Sequence, residues 1–224
     1  MPNDRPMKLI SVNVSKPREV ATREGTVRTG IFKEPVAGRV RVRRLNLDGD
    51  GQADLRVHGG EDKAIYAYPV EHYGYWEGKL KRREFPFGQF GENLTVEGMT
   101  EDEVQVGDVY RVGTALLQVS QPRSPCFKLA LRMGVRDFPR TFLASGRVGF
   151  YLRVLEEGEV GAGDSLLLVR RDGVEMSVRE ISNLLYFDPA NVQGMRKAMR
   201  LAALSPGWKE EFAQRLVAAG IDPA

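Results

Sequence analysis

The sequence predicts a mainly β fold, in which a barrel of short strands is followed by three helices. Eight short segments rich in Val, Ile, Leu and Tyr are separated by Gly, Pro and Asp, which is typical of a barrel or folded sheet. Capped helix starts are concentrated after residue 172. The chain has 224 residues, 42% of them hydrophobic, which suits one core with a smaller appendage. We expect a β-barrel domain with a few helices over residues 1–172 and a three-helix domain over residues 173–224.

The predicted strands share short length and an abundance of β-branched residues. One of them, "RVRVR", alternates strictly, with Arg39, Arg41 and Arg43 on one side and Val40 and Val42 on the other. We expect its arginine face to be solvated. In chain order the strands are KLISVNV, TVRTGIF, GRVRVRRL, AIYAY, NLTVEG, VYRVGTALLQVSQ, YLRVLEEGEV and SLLLVRR.

The C-terminal helices are predicted from their start and stop signals. Ser177 and Glu180 form the pattern of a capping box. Asp188-Pro189 and Ser205-Pro206 each place a capping side chain before a proline that suits the first helical position. Gly220 lies where the third helix should end. We expect three helices of about 10–14 residues that pack onto the barrel.

Composition narrows the functional classes. The net charge of +3 is too small to predict a nucleic-acid or membrane partner. A single cysteine cannot form an internal disulfide and suits a reducing compartment. The first residues lack the pattern of a signal peptide, and no apolar run approaches the length of a membrane helix. We expect a cytoplasmic protein with no nucleic-acid or membrane partner.

The only cysteine, Cys126, lies in "SQPRSPCFKLALRMG". Ser124-Pro125 predicts a helix start and Gly134 its end, which places Cys126 in the first turn. Free backbone N–H groups and the helix dipole there, together with Arg123 and Lys128, favour a thiolate. The alternative is a small buried core residue, since cysteine is often buried. The position and the two cations favour a functional thiol.

Three further stretches contain candidate site residues. In "VHGGEDK", Gly59 could let backbone N–H groups approach an anion, with His58 before it and Lys63 after it. Asn93 in "FGENLTV" could fix a ligand, and Arg147 in "SGRVG" could bind a phosphate. Each stretch also has a simpler interpretation: a glycine turn, a capped turn and a solvated loop arginine, respectively.

Several other functions lack support in the sequence. The segment "DGDGQAD" resembles a calcium loop, but Gly59 occupies the position of the bidentate glutamate counted from Asp48. There is no Cys-x-x-Cys, histidine cluster or Walker loop. The sequence therefore gives no reason to expect a calcium, zinc, iron–sulfur or nucleoside-triphosphate site.

Five motifs in one order carry a family resemblance. "VHGGEDKAIYAY", "FGENLTV", "VGDVYRVG", "QPRSPCFKLA" and "GFYLRV…GEVGAGDSL" together resemble the MOSC domain, named for the C-terminal domain of molybdenum cofactor sulfurase. The resemblance covers roughly residues 7–170, and the helices that follow resemble the C-terminal domain of the stand-alone YiiM-like branch. It implies a β-barrel whose cysteine ligates molybdenum or carries sulfur.

The resemblance also implies an activity: reduction of N-hydroxylated small molecules such as nucleobases, in a detoxifying role. The cofactor would be the molybdenum cofactor (molybdopterin), not pyridoxal phosphate, and a separate reductase would deliver electrons because the chain has no motif for an electron-transfer cofactor. Cys126 would be the metal ligand and, with His58 and Asn93, a catalytic residue. The expected cofactor-binding residues are Cys126, His58, Gly59, Lys63, Arg123 and Arg147. The alternative is a sulfur-carrier or cofactor-carrier protein that uses a persulfide on Cys126.

Overall fold

The structure is a computed structural model that describes residues 6–22, 25–54 and 59–222. Over these residues the chain forms a sheet-rich fold with six α-helices. The strands are β1 (Lys8–Val14), β2 (Arg18–Thr22), β3 (Gly25–Thr29), β4 (Glu34–Pro35), β5 (Arg39–Arg43), β6 (Asn46–Leu47), β7 (Ile65–Pro69), β8 (Leu94–Glu97), β9 (Val109–Val112), β10 (Ala115–Pro122), β11 (Phe150–Glu156), β12 (Gly158–Gly161) and β13 (Leu166–Arg170). The helices are α1 (Glu71–Leu80), α2 (Phe127–Met133), α3 (Phe138–Ala144), α4 (Val178–Tyr186), α5 (Val192–Met199) and α6 (Pro206–Ala218).

The main sheet has eight strands in the order β13-β9-β10-β11-β7-β8-β1-β4. Its described pairs are antiparallel except β7 with β8, which α1 connects as a parallel crossover. A second sheet has the order β12-β5-β6, and β2 pairs with β3 as a hairpin.

The start of β1 also contacts the segment that leads into β13. Lys8 and Ser165 form an isolated antiparallel bridge. The Leu9 N–H donates to the Asp164 carbonyl at 2.9 Å, and the Gly163 N–H donates to the Leu9 carbonyl at 2.7 Å. These bonds bring distant strands of the sheet order together, although the continuous ladder is that of an open sheet.

Strand β7 separates two hydrophobic clusters. Its side chains alternate, so Ile65 and Ala67 belong to the larger cluster, which the sheet strands line. Tyr66 and Tyr68 lie on the opposite face in a second, aromatic cluster with α1, α2 and α3. Both faces of β7 are therefore buried, and Tyr66 of this strand lines the candidate site described below.

The three C-terminal helices share the larger cluster with the sheet. Ile181 of α4 and Phe212 of α6 are fully buried in it, together with Val119 of β10. The Val178 N–H donates to the Val104 carbonyl at 2.9 Å, and the Ser205 N–H donates to the Ser120 carbonyl at 3.2 Å. The helices pack onto the sheet through apolar contact and backbone bonds, while the boundary after residue 172 stays a prediction.

The alternating patterns predicted their strands well. Arg39, Arg41 and Arg43 of β5 are exposed, and Val40 and Val42 are buried. The segments VYRVGTALLQVSQ and YLRVLEEGEV each divide into two strands. A turn interrupts the first, and in the second β11 pairs with β10 and β7 whereas β12 pairs with β5. The hairpin strand β2 and the helices α1 and α3 were not predicted.

The helix starts were predicted in part. The capping box is present: the Glu180 N–H donates to Ser177 Oγ at 3.1 Å, and the Ser177 N–H donates to Glu180 Oε2 at 2.7 Å. The start predicted at Asp188-Pro189 is wrong, because Asn191 caps α5 by accepting from the Gly194 N–H at 2.8 Å. Ser205 is the N-cap of α6 but makes no capping bond with its side chain. Helices α4 and α5, with nine and eight residues, are shorter than expected.

Across the described ranges, no helix combines the length and apolarity that spanning a membrane requires.

Candidate functional site

A cleft around Cys126 brings together residues from distant parts of the chain. It has two halves, which share Lys63, Cys126 and Tyr151. We call the first the basic half, because its lining includes Lys33, Lys63, Arg123 and Lys128 with one carboxylate, Asp50. Counted out to its open mouth, it holds about 570 Å³ of space not filled by atoms, part of it open to solvent. The second, acidic half is lined by Glu61, Asp62, Leu185, Gly207, Trp208 and Glu211, among others.

Cys126 is the N-cap residue of α2 and is half-buried. The predicted helix start, with Ser124 as cap and Pro125 in the first turn, is two residues too early, because the helix begins at Phe127. Cys126 has an extended backbone (φ −126°, ψ 171°) and lies just before the first turn. The end of the helix was predicted correctly, since Gly134 adopts the left-handed conformation with φ 65°. The loop before the cysteine is tied to α4 by the Tyr186 hydroxyl, which donates to Ser124 Oγ at 2.7 Å. The thiol therefore lies on the wall common to both halves.

Arg123 is the buried cation nearest to the thiol in sequence. Its guanidinium lies 4.7 Å from the Tyr66 ring centroid and 5.6 Å from that of Phe142. Burial disfavours its charge, but the electrostatic influence of Tyr66, Tyr151 and Cys126 outweighs burial and raises the pKa of Arg123. Its Nη1 is buried and donates to no acceptor among the described residues. A buried donor without a partner costs about 1–3 kcal/mol, so this atom calls for an acceptor in the cleft.

Lys63 and Gly59 come from the segment between β6 and β7. Lys63 ends a short 3-10 turn, Glu61–Lys63, that follows Gly60 (φ 91°). Its burial lowers its pKa, an effect that Asp62 partly opposes. Lys63 lies at the junction of the two halves, whereas Gly59 lines the acidic half. The structure thus brings both residues to the cleft, and their predicted contact with a cofactor stays a prediction.

The floor of the basic half is a buried polar network. Asp50, whose side chain is 1% exposed, forms an ion pair with Lys33. It also accepts from the Ser15 N–H at 2.9 Å and from Asn93 Nδ2 at 2.9 Å. Burial lowers the pKa of Lys33, while Asp50 and Glu92 oppose that effect. This network fixes the 48–54 loop against β1 and β7.

Asn93 uses its whole amide within the protein. Nδ2 donates to Asp50 and to the Asn13 carbonyl at 3.3 Å, and Oδ1 accepts from the Tyr66 N–H at 3.1 Å. Asn93 lines the basic half, and in this arrangement it holds β7 and Asp50 in place. A direct contact with substrate stays a prediction.

Two glycines let the cleft loops approach closely. A Cβ on Gly30 would lie 2.5 Å from the Gly51 carbonyl oxygen. A Cβ on Gly91, which has φ 83°, would lie 2.8 Å from Ile31 Cγ1. Side chains there would push the walls apart, so both positions require glycine.

The remaining predicted residues have different outcomes. His58 lies outside the described residues, so its predicted role stays a prediction. Arg147 is described, but its guanidinium stacks 4.1 Å from the Tyr75 ring centroid and donates to the Ser145 carbonyl at 3.3 Å. It is absent from the described lining of either half. Its predicted cofactor contact has no geometric support.

Sequence reasoning missed Lys33, Asp50 and the C-terminal residues of the acidic half. Asp50 was considered only as part of the "DGDGQAD" segment, as a calcium ligand. A lysine and an aspartate in separate loops carry no local signal of pairing. Trp208 belonged to a helix predicted only as a satellite, and its distance from Cys126 in sequence hid the contact with the cleft.

Comparison with known families matches residues 54–167 to the MOSC domain. Residues 176–218 match the YiiM-like, 3-alpha helix domain. The chain belongs to the MOSC domain family. The match contains the cleft residues from Gly59 to Tyr151, and the second match contains the helices that line the acidic half.

Relatives and solved structures agree with this membership. The chain is 43% identical over 207 residues to the uncharacterized protein YflK of Bacillus subtilis, covering 92% of this chain and 93% of YflK. It is 37% identical over 201 residues to protein YiiM of Escherichia coli, covering 87% of each. A protein of Gibberella moniliformis named "Reductase" is 31% identical over 187 residues, or 82% of this chain and 33% of that protein. The crystal structure of YiiM from Geobacillus stearothermophilus superposes with a TM-score of 0.81 at 43% identity, covering 94% of this chain and 100% of that one.

Proposed function

We propose that this protein binds the molybdenum cofactor in the cleft at Cys126 and reduces N-hydroxylated compounds, for example N-hydroxylated nucleobases. The observation that carries the proposal is a thiol beside a buried arginine whose Nη1 has no described acceptor, in a cleft with three further cations. Membership in the MOSC domain family, named for a molybdenum cofactor sulfurase domain, and a relative named a reductase support it. The hydrogen bonds between β1 and the segment that leads into β13 support the further proposal that the main sheet closes into a barrel.

The residues of the basic half fit this cofactor. A thiolate is a suitable ligand for a soft metal, and Cys126 is half-buried at the cleft wall. The cofactor also carries a phosphate, which requires cations and N–H donors. Arg123 Nη1 offers a buried donor without a described acceptor, and Lys63 and Lys128 line the same half of the cleft. When bound, the cofactor supplies the redox-active metal.

The protein's own residues would anchor and orient the cofactor and screen its negative charge. Cys126 would hold the metal, and Arg123, Lys63 and Lys128 would hold the anionic groups. The Lys33–Asp50–Asn93 network would keep the floor rigid, since each polar group in it is paired. Burial lowers the pKa of Lys63, which eases proton release from its Nζ at the junction of the two halves.

The overall reaction converts R–NH–OH, two electrons and two protons into R–NH₂ and water. Because the sequence has no fingerprint for an iron–sulfur, nicotinamide or flavin site, we propose that a separate reductase supplies the electrons. The relative named a reductase is consistent with this division, since the chain corresponds to only 33% of its length. We also propose that the protein acts in the cytoplasm, in detoxification.

Metal content tests the proposal. Wild type, Cys126→Ser and Arg123→Gln are produced in a host that makes the cofactor, and molybdenum per chain is measured by elemental analysis. We expect metal in the wild type, loss of most of it in Cys126→Ser and a substantial loss in Arg123→Gln, because the first removes the ligand and the second removes the buried donor. Arg140→Gln, an exposed arginine of α3, is the matched control and should retain wild-type content.

Equal molybdenum in wild type and Cys126→Ser would refute Cys126 as the ligand. Turnover is then measured with an N-hydroxylated base and either an artificial electron donor or NADH. We expect amine product with the artificial donor and none with NADH alone. A protein that holds sulfane sulfur on Cys126 and no molybdenum would instead be a sulfur carrier, which was the alternative from the sequence.

A further inference from the structure

The C-terminal helices form one wall of the cleft at Cys126. Leu185 near the end of α4 and the first turn of α6, from Pro206 to Trp208, line the acidic half together with Glu211. The loop containing Cys126 is bonded to α4 through Tyr186 and Ser124. These helices are therefore part of the site and not only a cover for the sheet.

The two halves of the cleft differ in charge. Among the described residues, the basic half has four cations and one carboxylate, whereas the acidic half has three carboxylates, Glu61, Asp62 and Glu211, and one cation, Lys63. An arginine orients each of these carboxylates: Arg44 bonds Glu61 at 3.1 Å, Arg153 bonds Asp62 at 2.8 Å and Arg215 bonds Glu211 at 2.9 Å. A carboxylate has about four acceptor sites, so each retains capacity for a ligand's N–H or O–H groups.

We propose that the acidic half is the substrate-binding half and that it selects uncharged or cationic N-hydroxylated compounds over phosphorylated ones. This rests on the proposed function, which assigns the basic half to the cofactor. Oriented carboxylates accept hydrogen bonds from amino and hydroxylamino groups, and because they are acceptor-only they give a phosphate no donor, even though their arginine partners offset part of their charge. Trp208 also lines this wall, but it is 6% exposed and packs in the larger core cluster, so the carboxylates carry the selectivity. The protein should thus accept a base or nucleoside and reject the corresponding nucleotide.

The rate at which Cys126 is alkylated tests whether the first turn of α6 forms a wall of the cleft, and this measurement needs no enzymatic turnover. Gly207 lines the acidic half and is exposed in the first turn of α6, and a Cβ there would meet nothing within 4 Å, so Gly207→Phe adds bulk at the cleft with open space at its Cβ. Because Cys126 is the only cysteine, alkylation of the cofactor-free protein by N-ethylmaleimide reports on this site alone. We expect Gly207→Phe to slow alkylation severalfold and Gly207→Ala to leave the rate near that of wild type.

A matched control substitutes a glycine on a different helix. Gly74 of α1 is also exposed with open space at its Cβ, and it lines neither half, so Gly74→Phe should alkylate at the wild-type rate. An unchanged rate in a folded Gly207→Phe would overturn the proposed wall. Should Gly207→Phe fail to fold, Glu211→Lys provides the deciding measurement.

Charge selectivity is tested by Glu211→Lys with Glu211→Gln beside it. Dissociation constants of the cofactor-loaded, oxidised protein are measured for an N-hydroxylated nucleoside and its 5′-monophosphate. Neutralisation removes one repulsive charge and reversal also adds an attractive one, so reversal should shift the preference toward the monophosphate by about tenfold and neutralisation by less. Equal discrimination in wild type and Glu211→Lys would overturn the proposal. If the wild type prefers the nucleoside and Glu211→Lys shifts that preference, but neither protein reduces the N-hydroxyl group, only the proposed activity is refuted.

Discussion

Removing one member of the buried Lys33–Asp50 pair should strongly destabilise the protein. Both side chains are almost fully buried, at 7% and 1% exposure. Asp50→Ala leaves a buried ammonium and removes the acceptor of Asn93 Nδ2 and of the Ser15 N–H. Loss of one partner from a buried ion pair costs about 3–5 kcal/mol. We expect Asp50→Ala to lower the free energy of unfolding by that amount, and Lys33→Met to cost somewhat less because Asp50 keeps two hydrogen bonds.

The assay is urea unfolding of both single variants and the double variant. The charge left unpaired in each single variant is absent from the double variant, so the double variant should be less destabilised than the sum of the single effects by about 2 kcal/mol. Agreement with the sum within about 0.5 kcal/mol would refute the coupling. Because this network forms the cleft floor, Asp50→Ala should also retain less molybdenum.

The same pair predicts a pH dependence. Burial lowers the pKa of Lys33 below the value near 10.5 expected in the unfolded chain, so between the two values the unfolded chain binds more protons. The free energy of unfolding of wild type relative to Lys33→Met should therefore rise as the pH increases through this window and level off above 10.5. Denaturation at several alkaline pH values measures this difference, and a difference that falls with pH would contradict the burial argument.

Three further changes test local features of the structure by denaturation. Ser177→Ala should cost about 1 kcal/mol because it removes a capping bond, whereas Ser205→Ala should cost less, since Ser205 makes no such bond; equal costs would contradict this difference. Gly91→Ala should lower the free energy of unfolding by more than about 1 kcal/mol, because Gly91 has φ 83° and a Cβ there would contact Ile31. The loss should be larger than for Gly38→Ala, where φ is 78° but the space around a Cβ is open. Arg123→Met should leave the cofactor-free protein about as stable as wild type, because the buried Nη1 donor that it removes has no described acceptor. If wild type binds the proposed cofactor, its melting temperature should rise on binding, and Arg123→Met should abolish that rise.

Local signals in the sequence determined several elements. Alternating Val and Arg in β5 fix which face is buried, because successive side chains point to opposite sides of a strand. The capping box at Ser177 and Glu180 and the stop at Gly134 depend only on neighbouring residues, so they too were predictable. The motifs around Cys126, Gly59, Lys63 and Asn93 identified a family, and they contain about half of the residues that line the basic half.

Other elements depend on packing that no local pattern encodes. Helix α1 contains Gly74 and Gly78 and begins without a capping side chain, so its propensity is weak. It forms because Trp76 is buried in the aromatic cluster, which gains its stability from distant residues. Asp188 before Pro189 matched the pattern of a helix start, but α5 begins later, and Asn191 caps it by accepting from the Gly194 N–H.

The candidate site, like the fold, was predicted from the sequence only in part. The sequence located the thiol and its cationic neighbours, since these lie close together along the chain. Only the tertiary structure showed that Lys33 pairs with Asp50 and that Arg147 stacks on Tyr75. It also showed that the first turn of α6 lines the acidic half of the cleft. The reason is physical: side chains far apart in sequence meet only when the shared hydrophobic core has fixed the elements that carry them, and the sequence pattern of each element describes its own faces and not its neighbours.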